Sequence, residues 1–248
     1  MFEKTVDFLA PKEYLDSNPE MPIPSKLNIP DWLKQLSHTP SQRTIKGCIP
    51  FLDTLTIGYL LKLPQDFYLE HRLKDDTSYL TPSFTTNKDS QIHIQIKKLN
   101  LDHLIQSASH PNAQLKNSPF INKNKTTGFH KILNPFKIVT PPGYSCIFVP
   151  PLNNIDDRFS IIPGIVDTDL FDSYINFPIV INGDKYDRFE SILKKGTPYV
   201  QIIPFKRDSW KMKIKELNKE KQSAFELSYA TNMVYAYKNK IWNKKKYK

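Results

Sequence analysis

Four apolar runs follow one another in the second half of the chain: FKIVTPPGYSCIFVPP (136–151), FSIIPGIVDTD (159–169), YINFPIVI (174–181) and FESILKKGTPYVQIIP (189–204). Proline or glycine separates them, at the regular spacing that is typical of β-sandwiches and β-barrels. We therefore expect antiparallel strands throughout 136–204, with turns at Gly143, Gly164 and Gly196 and with no helix as long as three turns. The fold class predicted from this stretch is mainly β.

Proline divides the chain into a part that is built of strands and a part that is free to be helical. All 20 prolines lie at or before Pro204, and proline interrupts both helix interiors and central strands. Six of them fall within residues 1–43, which are predicted to form an extended arm with one short helix near Asp31. The predicted organisation is this Pro-rich N-terminal arm, a β-rich domain over 44–205 and a basic helical tail over 206–248.

Three stretches of the β-rich domain have distinct patterns. Residues 44–70 look like strands joined by turns at Gly47 and Pro64. Residues 91–97 alternate isoleucine with polar residues, which predicts an antiparallel strand. Residues 106–127 are rich in Asn, Lys and Ser, and such a composition predicts a long polar loop.

The tail shows two helical patterns. Asp208 or Ser209 is in a position to cap a helix that runs through Trp210, Ile214 and Leu217. A second apolar row steps by four residues and therefore occupies one face of a helix. The members of this second row are Phe225, Tyr229, Met233 and Tyr237. We expect this face to dock on the body of the protein or on a second subunit.

The basic charge of the protein is concentrated in the same tail. The formal net charge is +10, and residues 206–248 contain 13 Lys and Arg against 4 Asp and Glu. Such an asymmetry favours an acidic partner or nucleic acid as the ligand of the tail, and a solvated helix face is the competing interpretation. Trp242 and Tyr247 place aromatic rings among the lysines, and such rings stack on bases. The predicted polyanion-binding residues are Lys244, Lys245, Lys246 and Lys248.

Several function classes lack their sequence signals. Cys48 and Cys146 lie far apart, so two buried thiols are expected rather than a disulfide framework or a zinc site. The six histidines have no metal-ligand spacing, so no metal site is predicted. Neither a P-loop nor a G-x-G-x-x-G motif is present, so these phosphate-binding loops are not expected. No run approaches the ~20 apolar residues of a membrane span, and the N-terminus does not resemble a signal peptide. The cytoplasm is therefore the expected compartment, with no membrane partner.

The apolar runs also carry three motifs in a fixed order. PGIVDTD (163–169) matches a turn of the form G-(I/V)-(I/V)-D-x-D, and PPGY (141–144) matches the start of PPGYYG. KKGTPYVQ (194–201) matches (K/R)-x-G-x-x-x-A-Q, with Val200 in place of the alanine. In this order and spacing, residues 136–206 resemble the trimeric dUTPase and dCTP deaminase superfamily. The core of that superfamily is called a β-clip, so the resemblance implies an antiparallel β-clip-like core.

The resemblance also implies site residues. It places Asp167 and Asp169 at catalytic positions, where paired carboxylates orient a water molecule and a Mg²⁺ ion. It places Gly143, Tyr144 and Gln201 at ligand-binding positions. Asp-Thr-Asp after a strand is also a common turn, in which the carboxylates accept backbone amides. Both interpretations stay open from the sequence.

The phosphate-binding segment of this superfamily is replaced in the chain. VPPLNN (149–154) stands where the superfamily has its serine motif, and Leu170, Phe171 and Asp172 stand where it has Tyr-Arg-Gly. The same segments resemble more closely an uncharacterised family of tailed phages and some bacteria. We therefore expect a non-catalytic binding or structural protein, encoded by a phage and located in the host cytoplasm or in the virion.

Two other functions stay open. The first is a divergent nucleotide diphosphohydrolase, which requires Mg²⁺; no cofactor is expected otherwise. The second is a nucleic-acid-associated protein that acts through the basic tail. A homo-oligomer is compatible with either.

Overall fold

The structure is a computed structural model, and it describes residues 4–17, 19–39, 41–72, 77–82, 107–120, 129–181, 188–230 and 237–248. The strand predicted at 91–97 lies outside these residues. Within them the protein is mainly β and its sheets are antiparallel, which confirms the predicted fold class at that level.

The chain divides into two compact units. Met1–Ile23 and Gly58–Lys206 form the first, which we call the β unit. Pro24–Ile57 and Arg207–Lys248 form the second, which we call the tail unit. The first unit ends at Lys206, and the second joins Pro24–Ile57 to Arg207–Lys248. The division into an arm, a β-rich domain and a tail stays a prediction.

The described part of the β unit contains short strands, the α-helix α1 (Lys12–Asp16) and a short 3₁₀ helix, Asn112–Leu115. The strands, in chain order, are β1 (Asp7–Leu9), β2 (Ile23–Pro24), β3 (Tyr59–Lys62), β4 (Phe67–Arg72), β5 (Thr77–Pro82), β6 (Ser107–His110), β7 (Phe129–Ile132), β8 (Lys137–Val139), β9 (Tyr144–Val149), β10 (Phe159–Ile161), β11 (Gly164–Val166), β12 (Phe177–Ile181), β13 (Arg188–Leu193) and β14 (Pro198–Lys206). Because β6 occupies part of 106–127, the prediction of one continuous polar loop is wrong there.

These strands form four sheets. The largest has the order β11-β9-β14-β3-β2, and a second has the order β10-β12-β7-β6. Strands β13, β4 and β5 form a third sheet, and β1 pairs with β8. Strand β9 therefore lies inside the largest sheet, between β11 and β14.

Alternation of buried and half-buried positions explains why these segments form strands. In β12, Phe177, Ile179 and Ile181 are buried and the residues between them are half-buried. This period of two places one side of the strand in the core. Phe67 and Phe148 are fully buried in the same cluster, so the core holds large aromatic side chains from several sheets.

Residues 136–181 and 188–204 contain antiparallel strands and no helix, as predicted. Gly143 and Gly196 lie in turns with φ of +83°, a conformation that favours glycine. Gly164, in contrast, is the first residue of β11 rather than a turn residue. Its turn prediction was wrong because Pro163 already ends the preceding segment, so the glycine is not needed to reverse the chain.

The tail unit contains the longer helices. The helix predicted near Asp31 is present as α2 (Asp31–Gln35). Residues 44–70 were predicted as strands and turns, but α3 (Ile49–Thr56) lies within them. A proline in the first turn suits a helix because that amide has no partner inside the helix, and Pro50 occupies this turn. Strand prediction in this stretch is correct only for β3 and β4.

The predicted helix through Trp210, Ile214 and Leu217 is not formed. Residues 207–218 are irregular, and the helix α4 begins at Lys219 and ends at Ala230. The sequence WKMKIK (210–215) alternates apolar residues with lysine, and this period of two does not produce a helical face.

The apolar row that was predicted to dock lies mostly on or after α4. The side chain of Phe225 is 55% exposed, so the structure does not show docking at this position. Met233 lies outside the described residues. Tyr237 begins a π-helical turn, Tyr237–Ile241, and is half-buried.

Candidate functional site

The three motifs that carry the resemblance are neighbours in the largest sheet. Val166 of β11 is opposite Cys146 of β9. On the other side of β9, Gln201 of β14 is opposite Val149. One strand therefore brings together the segments that contain Gly143 and Tyr144, Asp167 and Asp169, and Gln201.

Asp167 and Asp169, which follow β11, accept hydrogen bonds from the beginning of β9 and from the turn that precedes it. The hydroxyl of Ser145 donates to Asp167 Oδ1 at 2.6 Å, and the amide of Gly143 donates to Asp169 Oδ2 at 2.7 Å. The carbonyl of Asp167 also accepts the amide of Leu170 at 3.0 Å. The bond to Asp169 is of the kind that the turn interpretation expects, whereas the Asp167 carboxylate accepts from a side-chain hydroxyl.

A buried hydroxyl pair lies between the two aspartates. Thr168 Oγ1 is 2.7 Å from Thr140 Oγ1, and Thr140 Oγ1 donates to the carbonyl of Tyr144 at 3.1 Å. Thr168 also donates to Cys146 Sγ at 3.5 Å. Burial nevertheless raises the pKa of the Cys146 thiol to about 11, so this sulfur is held as a thiol. Cys48 is half-buried, so the expectation of two buried thiols holds for Cys146 alone.

Two of the predicted ligand-binding side chains have structural partners. The Tyr144 hydroxyl accepts a hydrogen bond from Lys4, whose Nζ also lies 4.7 Å from the centre of the tyrosine ring. Gln201 is 1% exposed, and its Oε1 accepts the amide of Leu152 at 2.8 Å. Gln201 therefore holds the segment VPPLNN (149–154), at the opposite end of β9 from Tyr144.

The carboxylates of this turn do not form a metal site by themselves. No group of three or more His, Cys, Asp or Glu side chains within the described ranges is arranged to hold a metal ion. Asp167 and Asp169 already accept hydrogen bonds from the protein. The donor set at this turn does not fit a Mg²⁺ ion without further ligands, since Mg²⁺ requires about six oxygen ligands in octahedral geometry.

A groove in the tail unit brings together residues from both of its segments. One face of α3 forms its floor, and the members of this face are Ile49, Leu52, Asp53 and Thr56. Their spacing of three and four residues places them on one side of the helix. The groove has a volume of about 490 Å³, within the ~300–1,000 Å³ range of ligand pockets.

The C-terminal segment is bonded to this face of α3. Trp242 Nε1 donates to Asp53 Oδ1 at 3.1 Å and to Asp53 Oδ2 at 3.0 Å. Lys245 Nζ donates to Asp53 Oδ2 at 2.6 Å. The amide of Trp242 donates to the carbonyl of Tyr237 at 2.8 Å, which closes the π-helical turn. The end of the tail is therefore attached to a helix rather than simply solvated.

Lysines and two aromatic rings complete the walls of the groove. They are Lys26, Lys238, Trp242, Lys244, Lys245, Lys246, Tyr247 and Lys248. All four lysines predicted from the sequence belong to this set. Lys26 and Lys238 were not predicted, and neither was the contribution of α3. The spacing of Ile49, Leu52 and Thr56 was the available signal, but the stretch was interpreted as strands.

The charge of the protein follows the two units. The tail unit contains 16 Lys and Arg against 6 Asp and Glu, whereas the β unit contains 19 of each. The entire formal charge of +10 therefore belongs to the tail unit. A second basic segment of this unit, residues 207–217, is exposed, with Trp210 at 90% and Ile214 at 91%.

Neither the helices of the protein nor its comparison with known proteins assigns a function. No helix in the described part of the chain combines the length and the apolar character needed to cross a membrane. No protein-family model matches the chain, and a search of curated proteins found no match. The candidate sites are therefore the turn around Asp167 and Asp169 and the groove beside α3.

Proposed function

We propose that the protein is a non-catalytic binding protein whose tail unit holds a polyanion in the lysine-lined groove beside α3. The observation that carries this proposal is the convergence of six lysines on one groove in the unit that contains the entire net charge. Asp53 is the one acidic residue among the described residues of the lining, so the groove keeps a strong excess of positive charge there. Such a concentration of positive charge attracts phosphates and other anions.

The arrangement of the tail supports a binding surface better than a solvated helix end. A helix C-terminus gains about 0.3–1 kcal/mol from a nearby cation, so capping explains one or two lysines. Lys244 and Lys246 lie three and five residues after the π-helical turn ends at Ile241, outside the last turn in which the helix dipole acts. Their position along the groove therefore requires another explanation, and binding of an anion supplies it.

The β unit serves as the scaffold in this proposal. The adjacency of the three motif segments around β9 supports a β-clip-like core of the dUTPase type, and the motif resemblance supports a phage-encoded origin. We also propose residues 1–23 as the remaining part of a Pro-rich arm. A phage protein of this kind acts in the host cytoplasm or in the virion.

The alternative function is a divergent Mg-dependent nucleotide diphosphohydrolase. Its support is the exposed position of Asp167 in the turn that follows β11. Against it, Asp167 and Asp169 are engaged by Ser145 and by the Gly143 amide. Gln201 is also buried and bonded to Leu152. Binding through the tail unit is therefore the better-supported function.

The test uses charge removal at two places in the same unit. Lys244→Gln, Lys246→Gln and Lys248→Gln are combined in a groove variant, and Lys211→Gln, Lys213→Gln and Lys215→Gln in a matched variant of the exposed segment. Binding to a labelled oligonucleotide is measured against salt concentration. The groove variant should lower the log–log salt slope by about 2, because each lost phosphate contact on a single strand contributes about 0.7.

The matched variant removes the same charge and should change the slope much less. Equal losses in both variants would show that net charge alone determines binding, and would contradict a site in the groove. Unchanged binding in the groove variant would contradict the proposed function as well.

A further inference from the structure

The groove beside α3 combines two chemistries, and together they point to one class of polyanion. We infer that it takes single-stranded nucleic acid, with bases against Trp242 and Tyr247 and the sugar–phosphate backbone along the lysines. This inference rests on the proposed function and specifies its ligand. Its support is the apolar and aromatic surface between the cationic residues.

The floor of the groove is not suited to an anion alone. Ile49 and Leu52 contribute apolar surface, and the rings of Trp242 and Tyr247 line the same space. An inorganic polyanion or a sulfated sugar leaves this surface exposed to water. A nucleobase covers it, and stacking on aromatic side chains occurs with every base because each has a π face.

Duplex nucleic acid does not present that face. In a duplex the bases are stacked on each other, and a protein contacts phosphates and base edges. A single strand exposes both faces of a base next to its phosphate. The pairing of an aromatic ring with neighbouring lysines, as at Lys246 and Tyr247, therefore selects a single strand.

Asp53 acts as a positioning residue for this surface. It accepts two hydrogen bonds from the indole of Trp242 and one from Lys245. These bonds fix the orientation of the indole ring before a ligand arrives, so less side-chain entropy is lost on binding. These hydrogen bonds also give a role to an acidic residue that lies inside a cationic groove.

An acidic protein segment is the competing partner. Carboxylates satisfy the lysines, but they make no specific use of two aromatic rings. Exposed carboxylate–lysine pairs also contribute only about 0–1 kcal/mol each. The rings therefore favour bases over an acidic peptide.

Four probes distinguish these ligands in the full-length protein. They are oligothymidylate of about 12 nucleotides, which is within the site sizes of single-strand binders, a duplex of the same length, inorganic polyphosphate and polyglutamate. Binding is measured by competition, and stacking by quenching of Trp242 emission in a Trp32→Phe, Trp210→Phe background. We expect the oligothymidylate to quench Trp242 and to bind at least about tenfold more tightly per charge than the other three.

Two substitutions separate stacking from charge. Tyr247→Ala should weaken oligothymidylate by about 5- to 150-fold, the range for loss of one stacked base, and should leave polyphosphate unchanged. Tyr247→Phe should restore oligothymidylate binding, and Lys246→Gln should weaken both ligands. Trp210→Ala, at an exposed position outside the groove, is the matched aromatic control.

The results with the four probes distinguish failure of the single-strand inference from failure of the proposed polyanion binding. Equal or tighter binding of duplex, polyphosphate or polyglutamate, without quenching of Trp242, overturns the inference and leaves the proposed function standing. Binding of none of the four probes overturns both. The inference is supported if Tyr247→Ala needs about 5- to 150-fold more oligothymidylate for the same quenching of Trp242 and Tyr247→Phe does not.

Discussion

The indole of Trp242 donates to both carboxylate oxygens of Asp53, although the two residues are 189 positions apart in the chain. The bond connects the end of the tail to the middle of α3. A hydrogen bond to a charged group contributes about 1.5–3 kcal/mol, more than a bond between neutral groups. Attachment of the tail therefore depends strongly on one carboxylate.

Replacement of Asp53 should release the tail. Asp53→Ala removes the acceptor for Trp242 and the partner of Lys245, and should shift the emission of Trp242 to longer wavelength as the indole becomes hydrated. We expect a loss of about 1–3 kcal/mol in attachment. Emission is measured in the Trp32→Phe, Trp210→Phe background, so that Trp242 is the remaining tryptophan.

Two controls accompany this prediction. Asp53→Asn keeps one acceptor oxygen and should retain most of the native emission. Asp31→Ala removes an exposed acid whose partner, Lys34, lies one turn away, and should leave the emission unchanged. Native emission in Asp53→Ala would contradict the role of the carboxylate.

Gly58 should tolerate no side chain. Its φ is +72°, and a Cβ atom there would lie 1.9 Å from the carbonyl oxygen of Ile202 in β14. Gly58→Ala therefore requires movement of the backbone and should reduce the free energy of unfolding by roughly 2–4 kcal/mol. Gly164→Ala is the matched control, because no atom lies within 4 Å of its added Cβ. Urea unfolding of both variants checks the difference.

The strands of the β unit could be predicted because their signals are local. Strand β12 is marked by the apolar run at 177–181, and Gly143 lies in a turn whose φ of +83° favours glycine. Turn chemistry and period-two burial operate within a few residues. Such features are visible in a single sequence.

The groove could be predicted only in part, because its two sides are distant in the chain. The lysines after Trp242 are visible as a charge cluster, but no local pattern relates them to Asp53. The helix predicted from a cap at Asp208 or Ser209 and from the spacing of Trp210, Ile214 and Leu217 failed for a local reason, because WKMKIK (210–215) also alternates apolar residues with lysine. Only tertiary contacts decide where such a segment lies.

Acid should weaken the connection between β4 and the segment that follows β13. Burial by itself raises the pKa of Asp66, but the Lys195 amide and the Lys194 ammonium outweigh it and lower this pKa below its ordinary value. Their distances from Asp66 are 2.7 Å and 2.9 Å. The unfolded chain then binds the proton more readily, so this stabilisation is present at neutral pH and is lost as the pH falls below about 4.

The Asp66→Asn variant tests whether the lowered pKa of Asp66 stabilises the protein at neutral pH. The variant should be less stable than the parent at neutral pH and should show a smaller further loss in acid. Thermal unfolding of both proteins at neutral pH and near pH 3, below the ordinary aspartate pKa, measures the two differences. A larger loss in acid for the variant than for the parent would contradict the direction of the shift.

The two cysteines should differ in reactivity. With a pKa of about 11, the Cys146 thiol is ionised in only about one molecule in a thousand at pH 8, and the thiolate is the reactive form. Cys48 is half-buried and should react first with iodoacetamide. Mass spectrometry of the native protein should show one label, and unfolded protein two. Native Cys48→Ser should remain unlabelled, and rapid labelling of that variant would contradict the burial of Cys146.

The protein should release no pyrophosphate from dUTP or dCTP in the presence of Mg²⁺. If the proposed resemblance to dUTPases holds, VPPLNN (149–154) stands in place of their phosphate-binding motif, and it provides no hydroxyl or guanidinium donor. Removal of one transition-state donor typically lowers the rate about 10²–10³-fold, and here several are replaced together. Gln201, which would face the ligand in the catalytic interpretation, is buried and bonded to Leu152 instead. Product analysis at high protein concentration measures the residual rate. Pyrophosphate release by the parent that disappears in Asp167→Asn would establish the enzymatic alternative, and Ser145→Ala would then show whether the hydrogen bond to Asp167 controls that rate.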